Sequence, residues 1–272
     1  MGVHSVKPSA DTLSGQTVWI TGASSGIGRA LAIAMSAAGA NIILSGRRAE
    51  ALNAAAADCA GETLILPFEA TDYDALPGIV AEASTWQGTP DILVNNAGIS
   101  QRALGVDTDF DVYRRLMEVD FFAPLRLTQL LLPAMLERGS GTLIQVASLA
   151  GKIGVPMRTG YCAAKHALMG YSDALRAENA RHGLNVLSVT PGFVQTDIAA
   201  NAVDGKGNRY GPNDDPVNHG ITAEMAADQI IAALNAGKRE ITVGTAQERA
   251  NAVMARLLPG MTMDRMAERT GA

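Results

Sequence analysis

Apolar residues along this chain fall into two alternating rhythms. Runs of five to eight residues, TVWIT, NIILS, TLILP, DILVNN, GTLIQVAS and NVLSVT, are rich in β-branched side chains and apolar on both faces, and a last run, EITVG, begins at Glu240. These predict strands. Between them lie helical stretches such as IGRALAIAMSAAG, where Ile27, Leu31, Ala34 and Met35 repeat at the i, i+4, i+7, i+8 spacing that gives a helix one buried face. Strands buried on both faces and joined by helices require right-handed crossovers, hence a parallel sheet covered on either side. The expected fold class is α/β, a doubly wound parallel sheet.

In such a sheet the ligand sits outside the carboxyl ends of the strands, near the point where strand order reverses. The longest stretch without periodicity, 191–220, follows a strand end directly and is rich in Gly, Asn, Asp and Pro. Its position marks it as a substrate lid. Residues 1–14 read as a flexible lead-in with neither the apolar run nor the cleavage-like tail of a signal peptide, and 15–272 as a single domain.

Composition removes several classes of function. A formal charge of −5 with no dense run of Lys or Arg gives no electrostatic footprint for nucleic acid, so a small neutral or polar partner is expected. The most apolar stretch, FFAPLRLTQLLLPAML, carries Arg126, Gln129 and two prolines and is expected to be too short for a membrane span, which suggests a soluble, cytoplasmic protein. Cys59 and Cys162 are too few for a disulfide framework, and His4, His166, His182 and His219 lack ligand spacing, so no metal site is expected.

The first chemical signal is TGASSGIG at 21–28, between the first strand and the first helix. Gly22 permits a tight turn, Gly26 lets backbone approach a diphosphate, and Gly28 lets helix pack on strand, while the N–H groups at the helix start, about Ser24, Ser25 and Ile27, face the anion. About twenty residues further on, an NAD-specific site places an acid for the ribose hydroxyls. Here the second strand ends in SGRR, so Arg47 and Arg48 stand beside Gly46 where the carboxylate is missing. A guanidinium holds a 2′-phosphate by charge-assisted hydrogen bonds, and the expected cofactor is NADP(H).

The second signal is YCAAK at 161–165, a phenol and an ammonium one helical turn apart. An isolated pair of this kind is more simply an amphipathic helix with a packed Tyr and a snorkelling Lys. Taken together, TGASSGIG, NNAG at 95–98, Ser148 at the end of VAS, YCAAK and PGFVQTD from Pro191 occur in order at strand ends, and in this the chain resembles the short-chain dehydrogenase/reductase family from about Leu13 to Val243.

That resemblance implies a Rossmann-type domain and a set of roles. Tyr161 would exchange a proton with the substrate oxygen while hydride moves to or from the nicotinamide. A free phenol titrates near ~10, and a cation one turn away lowers a pKa by about 1–3 units, so Lys165 would make Tyr161 usable. Ser148 would hydrogen bond the same oxygen. Lys165 would also hold the ribose, with Tyr161 beside it; Asn96, Ala97 and Gly98 would line the adenosine side, and Pro191, Gly192, Val194 and Thr196 the carboxamide.

Two departures stand out. The family has asparagine where this chain has Asp120 in VDFFA, with Ala123 in place of a glycine; the asparagine acts largely through its main-chain carbonyl, so Asp120 is expected to keep that role while its side chain shifts the pH profile. In FEATD, Glu69 stands where an Asp meets the adenine, with Ala70 next to it. The expected function is a carbonyl reductase or alcohol dehydrogenase acting on a lipophilic small molecule. Phe193, Val194, Ile198 and AVMARLLPGMTM suggest the lipophilicity, although packing against the core or a partner is the better reading of that tail. A non-catalytic NADP(H)-binding scaffold is the alternative, and a nucleotide-sugar epimerase would need a larger substrate portion. Family members commonly pair through the helix bearing Tyr161 and the one at 107–136, so a homodimer or homotetramer is expected.

Overall fold

The computed structural model describes residues 13–211 and 215–268. Twelve of the fourteen residues read as a lead-in, and three residues of the expected lid, lie outside this range. Seven strands form one parallel sheet in the order β3-β2-β1-β4-β5-β6-β7: β1 (Thr17–Thr21), β2 (Asn41–Gly46), β3 (Thr63–Pro67), β4 (Ile92–Asn95), β5 (Gly141–Val146), β6 (Leu184–Pro191) and β7 (Glu240–Val243). Every strand run expected from the sequence is present.

The two-residue period of a strand divides the core between the faces. Val18, Ile20, Ile42 and Leu44 point to one side, where α1 (Gly26–Ala37) and α7 (Ala223–Asn235) cover them with Leu31, Met35 and Ile230. Trp19, Ile43, Leu93 and Leu143 point to the other, onto α3 (Leu76–Gln87), α5 (Ala123–Arg138) and α6 (Thr159–Asn179). Strand order reverses between β1 and β4, so the loops after these two strands flank the switch point where such sheets bind ligands. The remaining helices are α2 (Ala49–Ala57), α4 (Phe110–Met117), α8 (Ala246–Leu257) and α9 (Pro259–Glu268).

One expectation is corrected. The apolar stretch thought too short for a span belongs to a continuous helical run, Phe110–Arg138, of 29 residues, and by length and composition it could cross a membrane. Pro124 at the start of α5 and Pro133 within it are both carried inside this run, each without an N–H to donate, and neither ends it. Here Leu127, Leu131 and Met135 are packed on the sheet. Between α4 and α5 the run widens into a π turn, Glu118–Phe122, a local register change of the kind often found at functional sites.

Candidate active site

The glycine loop after β1 is built for close approach. Gly22 adopts φ +67°, and a Cβ there would lie 2.9 Å from the Ala97 Cα; a Cβ on Gly28 would collide with the Gly22 carbonyl oxygen. Asn96 closes the loop from β4: its side-chain amide donates to the Thr21 and Gly22 carbonyls at 3.0 and 3.3 Å. Ser25 caps α1 in extended conformation without a side-chain hydrogen bond, which leaves the first-turn N–H groups facing the loop. This is a cradle that fits a diphosphate.

Arg47, Arg48, Glu69 and Ala70 lie at the ends of β2 and β3, on the far side of this loop. Arg48 Nη2 donates to Ser24 Oγ at 3.5 Å, which brings its guanidinium to the loop rim. Glu69 is exposed; it accepts from the Thr71 N–H and hydroxyl and lies 3.8 Å from Arg47. An exposed pair of this kind adds little stability. Its carboxylate therefore has local partners already, besides the adenine contact expected of it.

At the carboxyl ends of β4, β5 and β6 a cavity of about 230 Å³ is lined by Asn96, Gly98, Ser148, Tyr161, Lys165 and the 191–196 loop. Ser148 Oγ accepts from the Ala150 N–H at 3.1 Å, a cap that uses a lone pair and leaves the hydroxyl proton available. Lys165 Nζ stands 5.7 Å from the centre of the Tyr161 ring. Both side chains are buried in α6, which places them on one face.

Asp120 does not reach this cavity; it lies beneath it. The π turn directs its side chain inward, where Oδ1 accepts from the Ile99 N–H at 3.2 Å and lies 3.1 Å from Lys165 Nζ. The two side chains are 0% and 4% exposed. Gly98 has no room for a Cβ, which would strike Asp120 Oδ1. Asp120 Oδ2 has no hydrogen-bond partner among the described residues. Burial pushes the Asp120 carboxyl above its ordinary value, and Lys165 and the Ile99 N–H pull it back only in part. Burial alone would lower Lys165, but the facing Asp120 and Tyr161 outweigh it and hold the ammonium above its ordinary value. The side chain of Asp120 thus engages the lysine directly, a contact that a role through the main-chain carbonyl did not anticipate.

Two further groups of cavity residues were not expected. Met254, Thr262, Arg265 and Met266 bring α8 and α9 to the cavity wall, so the apolar tail faces the site instead of only packing on the core. Glu248 ties it there: its carboxylate accepts from the Phe193 N–H and, as a capping box, from Thr245. Arg102 and Arg158 also line the cavity and share the carboxylate of Asp215. Among the described residues no group of three or more His, Cys, Asp or Glu is placed to hold a metal ion.

Comparison with known proteins sets the class. The family model of the short chain dehydrogenases matches residues 16–207, and the chain belongs to the short-chain dehydrogenase/reductase family. It is an oxidoreductase of a family that uses nicotinamide cofactors and acts on small molecules. It is 37% identical over 93% of its length to dehydrogenase/reductase SDR family member 7B of Bos taurus, covering 80% of that protein. It is 35% identical to a dehydrogenase/reductase SDR family protein 7-like of Drosophila melanogaster, over 94% of this chain and 81% of the other. Among solved structures, a short-chain dehydrogenase from Streptomyces avermitilis superposes with a TM-score of 0.78 at 31% identity, covering 95% of this chain and 97% of the other. Levodione reductase, at 24% identity and a TM-score of 0.77, shares the fold; 87% of this chain and 99% of that one are covered.

Proposed function

We propose that this chain interconverts a ketone and a secondary alcohol of a lipophilic small molecule with NADP(H). The observation that carries this is the convergence of Ser148, Tyr161 and Lys165 on one cavity beside the phosphate cradle. When bound, the nicotinamide supplies or accepts the hydride. The protein does the rest. In the reducing direction the Tyr161 hydroxyl gives its proton to the carbonyl oxygen as that oxygen gains charge, and Ser148 donates a hydrogen bond to the same atom. The phenolate left behind faces the Lys165 ammonium, which stabilises it until a proton returns.

Arg47 and Arg48 would hold the 2′-phosphate, and the absence of an acid at the end of β2 supports the same choice. Incubation with NADPH and a panel of ketones and aldehydes, following cofactor oxidation, tests the activity. Silence across the panel with NADPH bound favours the non-catalytic scaffold. For the cofactor, Arg47→Asp combined with Arg48→Ala is expected to weaken NADPH at least about tenfold more than NADH. Equal losses remove the phosphate assignment. A homodimer or homotetramer and a cytoplasmic location belong to the same reading; Val106, Phe110 and Phe122, exposed next to α4, offer apolar surface to a second copy.

Asp120 is read here as a positioning residue that moderates Lys165. Its negative charge offsets the pull of the ammonium on Tyr161. Alcohol oxidation needs a proton acceptor at Tyr161, so its rate rises with pH, and removing a nearby negative charge favours the phenolate. Asp120→Asn is expected to move the rising limb of the pH–rate curve to lower pH by about one unit. An unmoved limb means that the carboxylate has no influence on Tyr161.

A further inference from the structure

Arg102 and Arg158 on the cavity wall and the Asp215 carboxylate they share do not cancel in charge. Arg102 is buried and four of its five N–H donors are taken: Nε and Nη2 donate to Asp215 Oδ2 at 2.8 and 2.6 Å, and Nη1 to Ser100 Oγ and the Gln101 carbonyl at 2.9 and 2.8 Å. Asp215 is equally committed. Its Oδ1 accepts from the Val217 N–H at 3.0 Å, and its Oδ2 is already taken twice by Arg102. Arg158 reaches that oxygen only at 3.5 Å, through one Nη2 donor, and makes no other side-chain hydrogen bond among the described residues. Among the described residues two guanidiniums against one carboxylate leave one positive charge. It falls on Arg158, whose side chain is 17% exposed and lines the cavity.

Burial of a cation without a full partner is costly, and fixed donors aimed into a cavity normally meet an anion. Burial and the like charge of Arg102 both act to lower Arg158, the pressure expected on an under-compensated guanidinium. Glu248, the carboxylate that also lines the cavity, is occupied by Phe193 and Thr245. Its negative charge is matched by the positive charge of Arg265 on α9, which lines the same cavity, so the excess stays at one.

We infer that Arg158 is the anion-recognising end of the substrate site, and that the substrate is a keto acid with an apolar remainder. This rests on the reductase reading above. Arg158 caps α6 and Tyr161 lies three residues on, so the carboxylate is placed about one helical turn from the reacting carbonyl. The apolar remainder meets Phe193, Ile198, Met254 and Met266. A single uncompensated positive charge matches a carboxylate better than a dianionic phosphate, which would leave one negative charge unmatched.

The test uses matched pairs, each keto acid against its own methyl ester, with the same ketone and cofactor. Wild type is expected to favour the acid in kcat/KM by about 10- to 100-fold. Arg158→Gln is expected to bring that ratio to about one, and Arg158→Lys to keep part of it; thermal melts confirm that both variants fold. Esters turned over as well as acids by wild type overturn the subsite and leave the reductase standing, as does a ratio unchanged in Arg158→Gln. If neither acid nor ester is turned over, the readout is binding of the acid to NADPH-loaded protein by quenching of cofactor fluorescence. Binding lost in Arg158→Gln supports the subsite without the reductase, and binding that is absent or unchanged overturns it. A phosphate monoester preferred to the acid overturns the carboxylate.

Discussion

Tyr161→Phe is expected to lower turnover by about 10³-fold while the protein folds and melts almost as wild type. The ring is 6% exposed and packs with Val112, Leu116 and Cys162, contacts that Phe keeps. The hydroxyl makes no hydrogen bond to any described residue, so its removal leaves no buried partner unpaired and stability should stay within about 0.5 kcal/mol. Phenylalanine has no proton to give. Steady-state oxidation of NADPH by wild type and variant, with melts in parallel, measures both quantities. Retained turnover would remove Tyr161 as the proton carrier.

Lys165→Met is expected to cost about 3–5 kcal/mol at neutral pH, far more than the lost catalytic group alone suggests. The reason is Asp120, whose Oδ1 would keep only the Ile99 N–H and whose Oδ2 has no partner now. In the intact protein the ammonium is held above its ordinary 10.5, so the pair persists through the neutral range. Without it, burial acts unopposed on a carboxyl that already sits above its ordinary 3.8. A carboxyl with a raised folded-state pKa binds its proton more tightly when folded. The deficit of the variant is therefore full above that raised value and shrinks as pH falls through it. Urea unfolding at pH 8 and pH 5 reads the trend, and the double variant Asp120→Leu with Lys165→Met is expected to recover most of the loss. A single variant within 1 kcal/mol of wild type would show that the pair is not isolated from water.

Much of this molecule could be read before its structure. Strands apolar on both faces leave few alternatives to a parallel sheet, and Asn96, Gly98, Ser148, Tyr161 and Lys165, singled out from the motifs, line one cavity. What could not be read depends on direction and distance. Helical periodicity assumes 3.6 residues per turn, and the π turn at 118–122 breaks it, so nothing in VDFFA announced that Asp120 would turn onto Lys165. Arg102 and Asp215 are 113 residues apart, and Asp215 sits in an aperiodic stretch with no pattern to pair them. Met254 and Met266 have the spacing of an ordinary amphipathic tail. Whether such a face meets core, partner or cavity is decided by tertiary packing alone.

The grip of Glu248 on the Phe193 N–H joins the loop after β6 to the last two helices. The family model ends at residue 207, before α8 and α9 begin. Substitutions at Met254, Thr262 and Met266, on the cavity wall, are therefore expected to reshape what the cavity admits, whereas Glu248 holds the loop itself. New specificity can evolve at the periphery, and laboratory libraries aimed at altered selectivity belong there first.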